Sequence, residues 1–430
     1  MKKTKRAFLM FGLLSIAYVL VYFHRLCPAI VADDMMRDFA TTGTLLGLMG
    51  AAYFYSYAAM QLPAGLLTDS LGPRRTITVF FIVAFAGSLV MGLSTSVGWA
   101  VFGRTLVGFG VATLFVPTLK ILATWFKPAV FARLTGILIA MGGVGSLIAT
   151  APLAILTEKV GWRVAFLIVA GVTVALTVLI HLFVRDAPET ETGGIRPASS
   201  EKRGPAEAAG LRAGFALVLS DRSMWALCVW FFFTAAIFFS FGGLWGGPYL
   251  IHVHGLSKTG AGSVLSMTAL GMIIGSPLLS FLSDRVVGGR KPVLVVSGAL
   301  TIAVTAAFAF LSSRLTLPHL YALCFAMGMF ANSVVSVGFA AVKELFPMRI
   351  AGTATGIANI FPFAGGAVFQ PLMGRLIERQ GVSAGVYTLR GYEDAFLSLF
   401  VASVIAFAAC FFMRETHPGK TGLDTAVVPD

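Results

Sequence analysis

Tyr18, Tyr22 and Arg25 stand at i, i+4 and i+7 within an apolar stretch, so one face of a helix there presents two hydroxyls and a guanidinium. Such a face suits a carboxylate or a phosphate, because the planar guanidinium donates paired hydrogen bonds to either. A charge inside an apolar helix is costly and usually functional. Two readings stay open: the side chain faces the protein interior and meets an anion, or it extends outward to pair with Asp33, Asp34 or Asp38. His24 beside it reads as a packing residue rather than a proton relay.

Other polar residues fall in apolar runs. Arg104 and Lys120 lie roughly 160° apart on a helix of about 100° per residue, so they do not face one cavity. Arg104 is a binding candidate, and Lys120 sits near a helix end, where it reaches either the cavity or water. Asn359 and Gln370 share a face, about 20° apart, with Gly366. That stripe offers neutral hydrogen bonds to a ligand or holds helices together. Trp230, Thr234, Phe238, Phe241 and Trp245 form a stripe that walls a cavity, with Trp245 as a contact, or packs a core. Tyr53 and Tyr57 are further cavity candidates. No Asp or Glu occurs well inside an apolar run, which favours an anionic ligand and argues against a buried-carboxylate proton switch.

The elements that must position these residues are membrane helices. The 430 residues are 57% hydrophobic and 12% charged, with mean hydropathy +0.87, against roughly a quarter charged residues in soluble domains. Runs able to cross a bilayer need about 20 apolar residues. They lie at Ala7–Val31, Thr44–Leu67, Thr76–Leu93, Trp99–Leu122, Leu134–Leu156, Trp162–Val184, Met224–Leu250, Gly260–Ser283, Pro292–Leu311, Pro318–Val342, Ile350–Leu376 and Ala395–Met413. The expected fold class is an all-α membrane protein of twelve transmembrane helices. The start, MKKTKR and an apolar run, reads as a retained first span, not a cleaved signal.

Net charge of +13 raises a nucleic-acid partner, but placement explains it as topology. With both termini cytoplasmic, most Lys and Arg collect on the cytoplasmic side, while Arg37, Lys159, Arg163, Lys258, Arg314, Arg375, Arg379 and Arg390 lie opposite. Cys27, Cys228, Cys324 and Cys410 occupy different runs without metal-ligand spacing. No metal or cofactor is expected. A polar stretch divides the chain into an N-terminal bundle of six helices (1–185), a linker (186–222) and a C-terminal bundle of six (223–430). The halves echo each other: Gly65-Leu66-Leu67-Thr68-Asp69 with Arg74-Arg75 recurs as Ser280-Phe281-Leu282-Ser283-Asp284 with Arg290-Lys291. Repeats in one orientation suggest parallel bundles around a midplane site.

Gly65 through Arg75 resembles the signature loop of the major facilitator superfamily, and Arg104, Gly108 and Gly110 resemble a second motif of that family. The resemblance runs from the first span to Arg414-Glu415-Thr416. It implies secondary transport by alternating access, with Gly65, Asp69, Gly72, Arg74 and Arg75 locking the cytoplasmic side in the outward-facing state and Asp284 and Arg285 repeating the arrangement. Ser70 departs from the family's usual Arg. Drug exporters carry Gly-Pro where this chain has Ala149-Thr150, so efflux is not expected. Val184-Arg185-Asp186-Ala187-Pro188-Glu189 and Leu244-Trp245-Gly246-Gly247-Pro248-Tyr249-Leu250 look most like the organic-anion and sugar-phosphate permeases.

The expectation is uptake of a small organic anion across the inner membrane by a functional monomer, with a coupled proton or counter-anion as partner. Alternatives are an amino-acid or short-peptide transporter and a transporter-like nutrient sensor. An enzyme is not expected, because catalytic spacings are absent from the spans.

Overall fold

The computed structural model describes residues 3–188, 216–383 and 386–417. Most of the expected linker, with Arg196, Lys202, Arg203 and Arg212, lies outside them, as do Lys2 and Lys420. The N-terminal half holds α1 (Lys3–Leu26), α2 (Pro28–Phe39), α3 (Gly43–Leu71), α4 (Pro73–Leu93), α5 (Val97–Ala112), α6 (Phe115–Trp125), α7 (Pro128–Ile148) and α8 (Ala151–Phe183). The C-terminal half holds α9 (Arg222–Ser240), α10 (Gly246–His252), α11 (Lys258–Phe281), α12 (Lys291–Leu311), α13 (Leu317–Met327), α14 (Val335–Leu345), α15 (Met348–Ala358), α16 (Ile360–Arg379) and α17 (Leu389–Phe412). One two-stranded antiparallel pair, Val382–Ser383 with Val386–Tyr387, sits between α16 and α17.

Among the described residues, ten helical stretches are long and apolar enough to cross a membrane. The 29-residue α3 and the 21-residue α7 are not counted in these ten. The helices begin where the sequence provides caps. Thr42 accepts from Leu45 N at the start of α3, Asp221 from Met224 N at α9, and Ser257 from Gly260 N at α11. Pro28, Pro73 and Pro128 open α2, α4 and α7, where a missing N–H costs nothing. Leu66, Val79, Ile82, Phe310 and Phe412 stand exposed on the outside of the molecule, as lipid-facing side chains do.

Several expected runs are interrupted rather than continuous. The first breaks at Cys27, between α1 and α2, and the fourth at Thr113 and Leu114. The fifth stops at Ala149 and Thr150 and resumes in α8. Gly161, at φ 78°, then bends α8 into two helices, the boundary expected between the fifth and sixth runs. π-helical turns interrupt the C-terminal half at Phe241–Trp245, Leu282–Val287 and Gly328–Ser333. The cause at Cys27 is chemical: Pro28 has no N–H to give the carbonyl four residues back, which is that of His24.

The two faces of the molecule differ. The end opposite the chain termini is closed by bonds between the halves. His252 Nε2 lies 2.8 Å from Asp33 Oδ1, and Lys258 Nζ 2.5 Å from Asp34. Glu158 accepts from Thr259 N and Oγ1 at 2.9 and 2.6 Å, and Glu378 from Thr44 N and Oγ1 at 3.1 and 2.6 Å. Glycines let backbones touch there: a Cβ on Gly247 would meet the Ala29 carbonyl at 1.6 Å, and one on Gly374 the Gly43 carbonyl at 2.2 Å. Toward the terminal face, a Cβ on Gly65, Gly136, Gly352 or Gly356 would meet nothing within 4 Å.

Candidate functional site

Arg25 lies one residue before the end of α1, 95% buried, between the halves. Its guanidinium carbon is 4.4 Å from the ring centroid of Tyr22 and 5.1 Å from that of Tyr57, both in the N-terminal half. Phe363 at 5.1 Å and Phe239 at 5.6 Å approach from the C-terminal half. Tyr18 packs edge-on against Tyr22 at 5.4 Å and stacks on Phe115. The i, i+4, i+7 face therefore comes together as the spacing predicts. Among the described residues Arg25 Nε has no hydrogen-bond partner, and the titratable side chains that face it are neutral tyrosines rather than carboxylates.

The outward-pairing reading of Arg25 does not hold. Asp33 is taken by Arg37 and His252, Asp34 by Lys258 and Arg37, and Asp38 by Arg163 and the Trp162 indole. All three carboxylates are spent closing the far face or bracing its loops. Burial alone would raise Asp33, but the His252 hydrogen bond and charge and the Arg37 charge outweigh it and hold this carboxyl below its usual range.

Arg104 is fully buried and donates from Nη1 to the His24 carbonyl at 2.6 Å, with its guanidinium 4.7 Å over the Tyr53 ring. That carbonyl is the one Pro28 leaves without a backbone donor, and Arg104, with the Cys27 thiol at 3.7 Å, secures the backbone where the first run bends. Arg104 Nε and Nη2 have no hydrogen-bond partner among the described residues. The His24 ring lies 3.4 Å from Ser88 and is otherwise enclosed. Tyr53, whose hydroxyl donates to the Val21 carbonyl, thus stands between the two arginines.

The amide stripe faces α3. Asn359 donates to Gln61 Oε1 at 2.7 Å, and Gln370 donates to the Phe239 carbonyl at 2.9 Å while its Oε1 stays unpaired beside Gly50. Trp245 donates to the Gln370 carbonyl and packs on Gly43 and Gly374, at the closed end. Trp230, Phe238 and Phe241 are buried, Phe241 against Phe308 and Phe396, so they serve the interior of the C-terminal half.

At the terminal face, Asp69 pairs with Lys120 at 2.7 Å within its own half, not with the opposite half. Lys120 is thereby tied to the end of α3, where it also donates to the Thr68 carbonyl at 3.4 Å. Gly72, at φ 83°, turns the chain into α4, whose first N–H group, that of Arg74, donates to Asp186 at 2.7 Å. The C-terminal half repeats this capping: Glu415 accepts from Arg290 N and Lys291 N at 2.7 and 3.0 Å. Asp284 and Glu344 both bond Arg290, while Arg285 is exposed. Burial opposes the Arg290 charge, but these two carboxylates hold its pKa above the ordinary value. The equivalence of Asp186 and Glu415 was open to sequence reading, since Arg185-Asp186 and Arg414-Glu415 follow the last span of each half. Phe239 and Phe363 carried no such signal among 37 phenylalanines.

The sequence model of the Major Facilitator Superfamily matches residues 14–257 and 241–427. The chain belongs to the Major Facilitator Superfamily. It is 24% identical over 405 residues to the probable sulfoacetate transporter of Cupriavidus necator, covering 88% of this chain and 89% of that one. It is 23% identical to the D-galactonate transporter of Escherichia coli (88% and 91% covered) and 23% identical to the hexuronate transporter of Bacillus subtilis (90% and 92%). Among solved structures, a bacterial homolog of the human lysosomal transporter Spinster superimposes with TM-score 0.73 at 18% identity, covering 95% and 98%. A D-xylose-proton symporter superimposes with TM-score 0.75 at 15% identity, covering 94% and 97%. Superfamily membership makes this protein a multi-pass membrane transporter and not an enzyme.

Proposed function

We propose that this superfamily member is a secondary transporter that takes up a small organic anion by alternating access. The observation that carries the reading is Arg25: a buried guanidinium between the halves with no carboxylate partner among the described residues. An unpaired buried charge is unfavourable unless a counter-ion arrives, and a substrate carboxylate, sulfonate or phosphate is that counter-ion. The relatives named for sulfoacetate, galactonate and hexuronate support this over the amino-acid or peptide alternative.

In this reading the chain crosses the bilayer twelve times as two bundles, residues 1–185 and 223–430 joined by a linker at 186–222, with both termini in the cytoplasm of an inner membrane. The closed far end then faces outward, and the structure is the inward-open state. Arg25, with Tyr18 and Tyr22, pairs with the anion; Arg104 adds positive potential behind Tyr53; Asn359, Gln370 and Trp245 tie the cavity wall together. Gly65, Asp69, Gly72, Arg74, Arg75, Asp284 and Arg285 belong to the face that closes when the bundles rock. One chain suffices, and a proton or counter-anion accompanies the substrate.

Proteoliposome uptake of radiolabelled small carboxylates tests the reading. Arg25→Gln should lower uptake by about a hundredfold, the scale of a lost charged hydrogen-bond pair. Uptake at the wild-type rate in that variant would sink the assignment.

A further inference from the structure

A groove of about 410 Å³ opens on the outside of the C-terminal half, formed by α9, α16 and α17. Phe233, Phe369, Leu372, Leu397, Val401 and Ile405 line it, and Leu372, Leu397 and Val401 are exposed on the lipid-facing surface. Ser398 adds a hydroxyl, but this donates to the Ala395 carbonyl at 2.6 Å, so the wall suits hydrocarbon. Asp394 is the charged residue of the lining. From Asp394 to Ile405 is eleven residues of α17, about 16 Å at 1.5 Å per residue. One leaflet of a bilayer core of about 30 Å is about 15 Å deep. The groove therefore runs the depth of one leaflet, with its acid at the level where headgroups begin.

Both signs of charge stand at this mouth. Among the described residues Asp394 accepts from Gln380 Nε2 at 2.6 Å and pairs with no cation. Arg390 lies one turn earlier on the same stripe of α17, and Arg379 lies seven residues beyond Leu372 on the same face of α16. Both arginines are exposed. The larger groove between α3 and α5, about 610 Å³, has apolar and hydroxyl side chains and no charge in its lining, so it can hold a chain without choosing a headgroup. We infer that the groove of the C-terminal half binds one phospholipid with a primary ammonium headgroup, of the phosphatidylethanolamine class. Its ammonium meets Asp394, its phosphate meets the arginines, and one acyl chain lies along Leu397, Val401 and Ile405. A choline headgroup has no N–H to donate to the carboxylate, and a glycerol headgroup brings no positive charge. Assignment to the outer leaflet rests on the orientation proposed above; the headgroup preference does not.

The test exposes the purified full-length protein in detergent to equal mixtures of phosphatidylethanolamine, phosphatidylcholine and phosphatidylglycerol with identical acyl chains, and reads the first lipid retained by native mass spectrometry. Phosphatidylethanolamine should exceed either competitor by at least about tenfold, the scale of one charge-assisted hydrogen bond. Asp394→Asn, which keeps the shape of the mouth, should bring the three lipids to parity. The difference between that variant and wild type separates this groove from every other lipid contact. Val401→Trp, which fills the groove, should abolish the excess as well and decides the matter should Asp394→Asn fail to fold. Equal retention of the three lipids by wild type, an excess of another lipid, or a preference that survives either variant overturns the inference and leaves anion transport standing. Anion uptake that fails while the preference holds removes the function proposed above and not this site.

Discussion

Two arginines flank Tyr53, and the structure gives them different work. Arg25 meets rings and no acid, while Arg104 spends a donor on the His24 carbonyl that Pro28 orphans. Their loss should therefore be read on different instruments. Arg104→Gln removes the charged donor from a buried carbonyl and leaves it the weak Cys27 thiol, a loss of about 1–3 kcal/mol, so the melting temperature should fall. Arg25→Gln removes an unpaired charge and should leave melting unchanged or raised while uptake collapses. Equal melting of Arg104→Gln and wild type in detergent would show that the backbone contact is not a structural tie. Arg25 was legible from sequence because a charge in an apolar run stands out. The partner of Arg104 was legible in principle, since Pro28 lies four residues beyond His24. Phe239 and Phe363 were not, because a phenylalanine facing a cavity has the same spacing as one facing lipid.

At the scale of elements, the bend between α1 and α2 brings Asp33 and Asp34 across to α10 and α11. There His252 bridges three elements: Nε2 to Asp33 at 2.8 Å on α2, and Nδ1 to the Tyr392 hydroxyl at 2.9 Å on α17. Sequence periodicity assigned these stretches to helices but did not show the breaks that aim their ends at one another. A π-turn or a bend is one residue's hydrogen bond out of register, too small a change to alter an apolar pattern. The latch has a defined pH range. Asp33 has its carboxyl depressed in the folded protein, so its contribution is fully present above the ordinary carboxylate value of about 3.9 and is lost as pH falls through the depressed value. Asp33→Asn should melt lower than wild type at pH 7, by a loss of about 1.5–3 kcal/mol for a charged hydrogen bond. That difference should persist at pH 5 and shrink only below about pH 4. A gap already closed at pH 5 would mean that Asp33 is not held ionised by His252 and Arg37.

At the scale of the molecule, glycines that bring the two halves into backbone contact lie at the shut end, and four helical glycines toward the other end have open space. Gly247 admits the Ala29 carbonyl, whereas Gly65 on α3 and Gly136 on α7 have nothing above them, as do Gly352 and Gly356 on α15. If the halves rock as rigid bodies about Arg25, the second set must meet when the first set parts. Side chains added at the two ends then shift the equilibrium in opposite directions. Gly247→Ala places a Cβ against backbone that cannot yield, a penalty of about 1–3 kcal/mol paid only while the far end is shut, so it should favour the opposite state by roughly tenfold or more. Gly65→Val adds bulk where there is room now and none after closure of the terminal face, so it should hold the present state. Spin labels at Lys159→Cys and Val382→Cys, both exposed at the far end, report the outcome. Their separation should lengthen in the Gly247→Ala background and stay short in the Gly65→Val background. Uptake should fall in both, because a carrier pinned at either end cannot complete its cycle. The same distance distribution in the two backgrounds would mean that these glycines do not mark the moving interface.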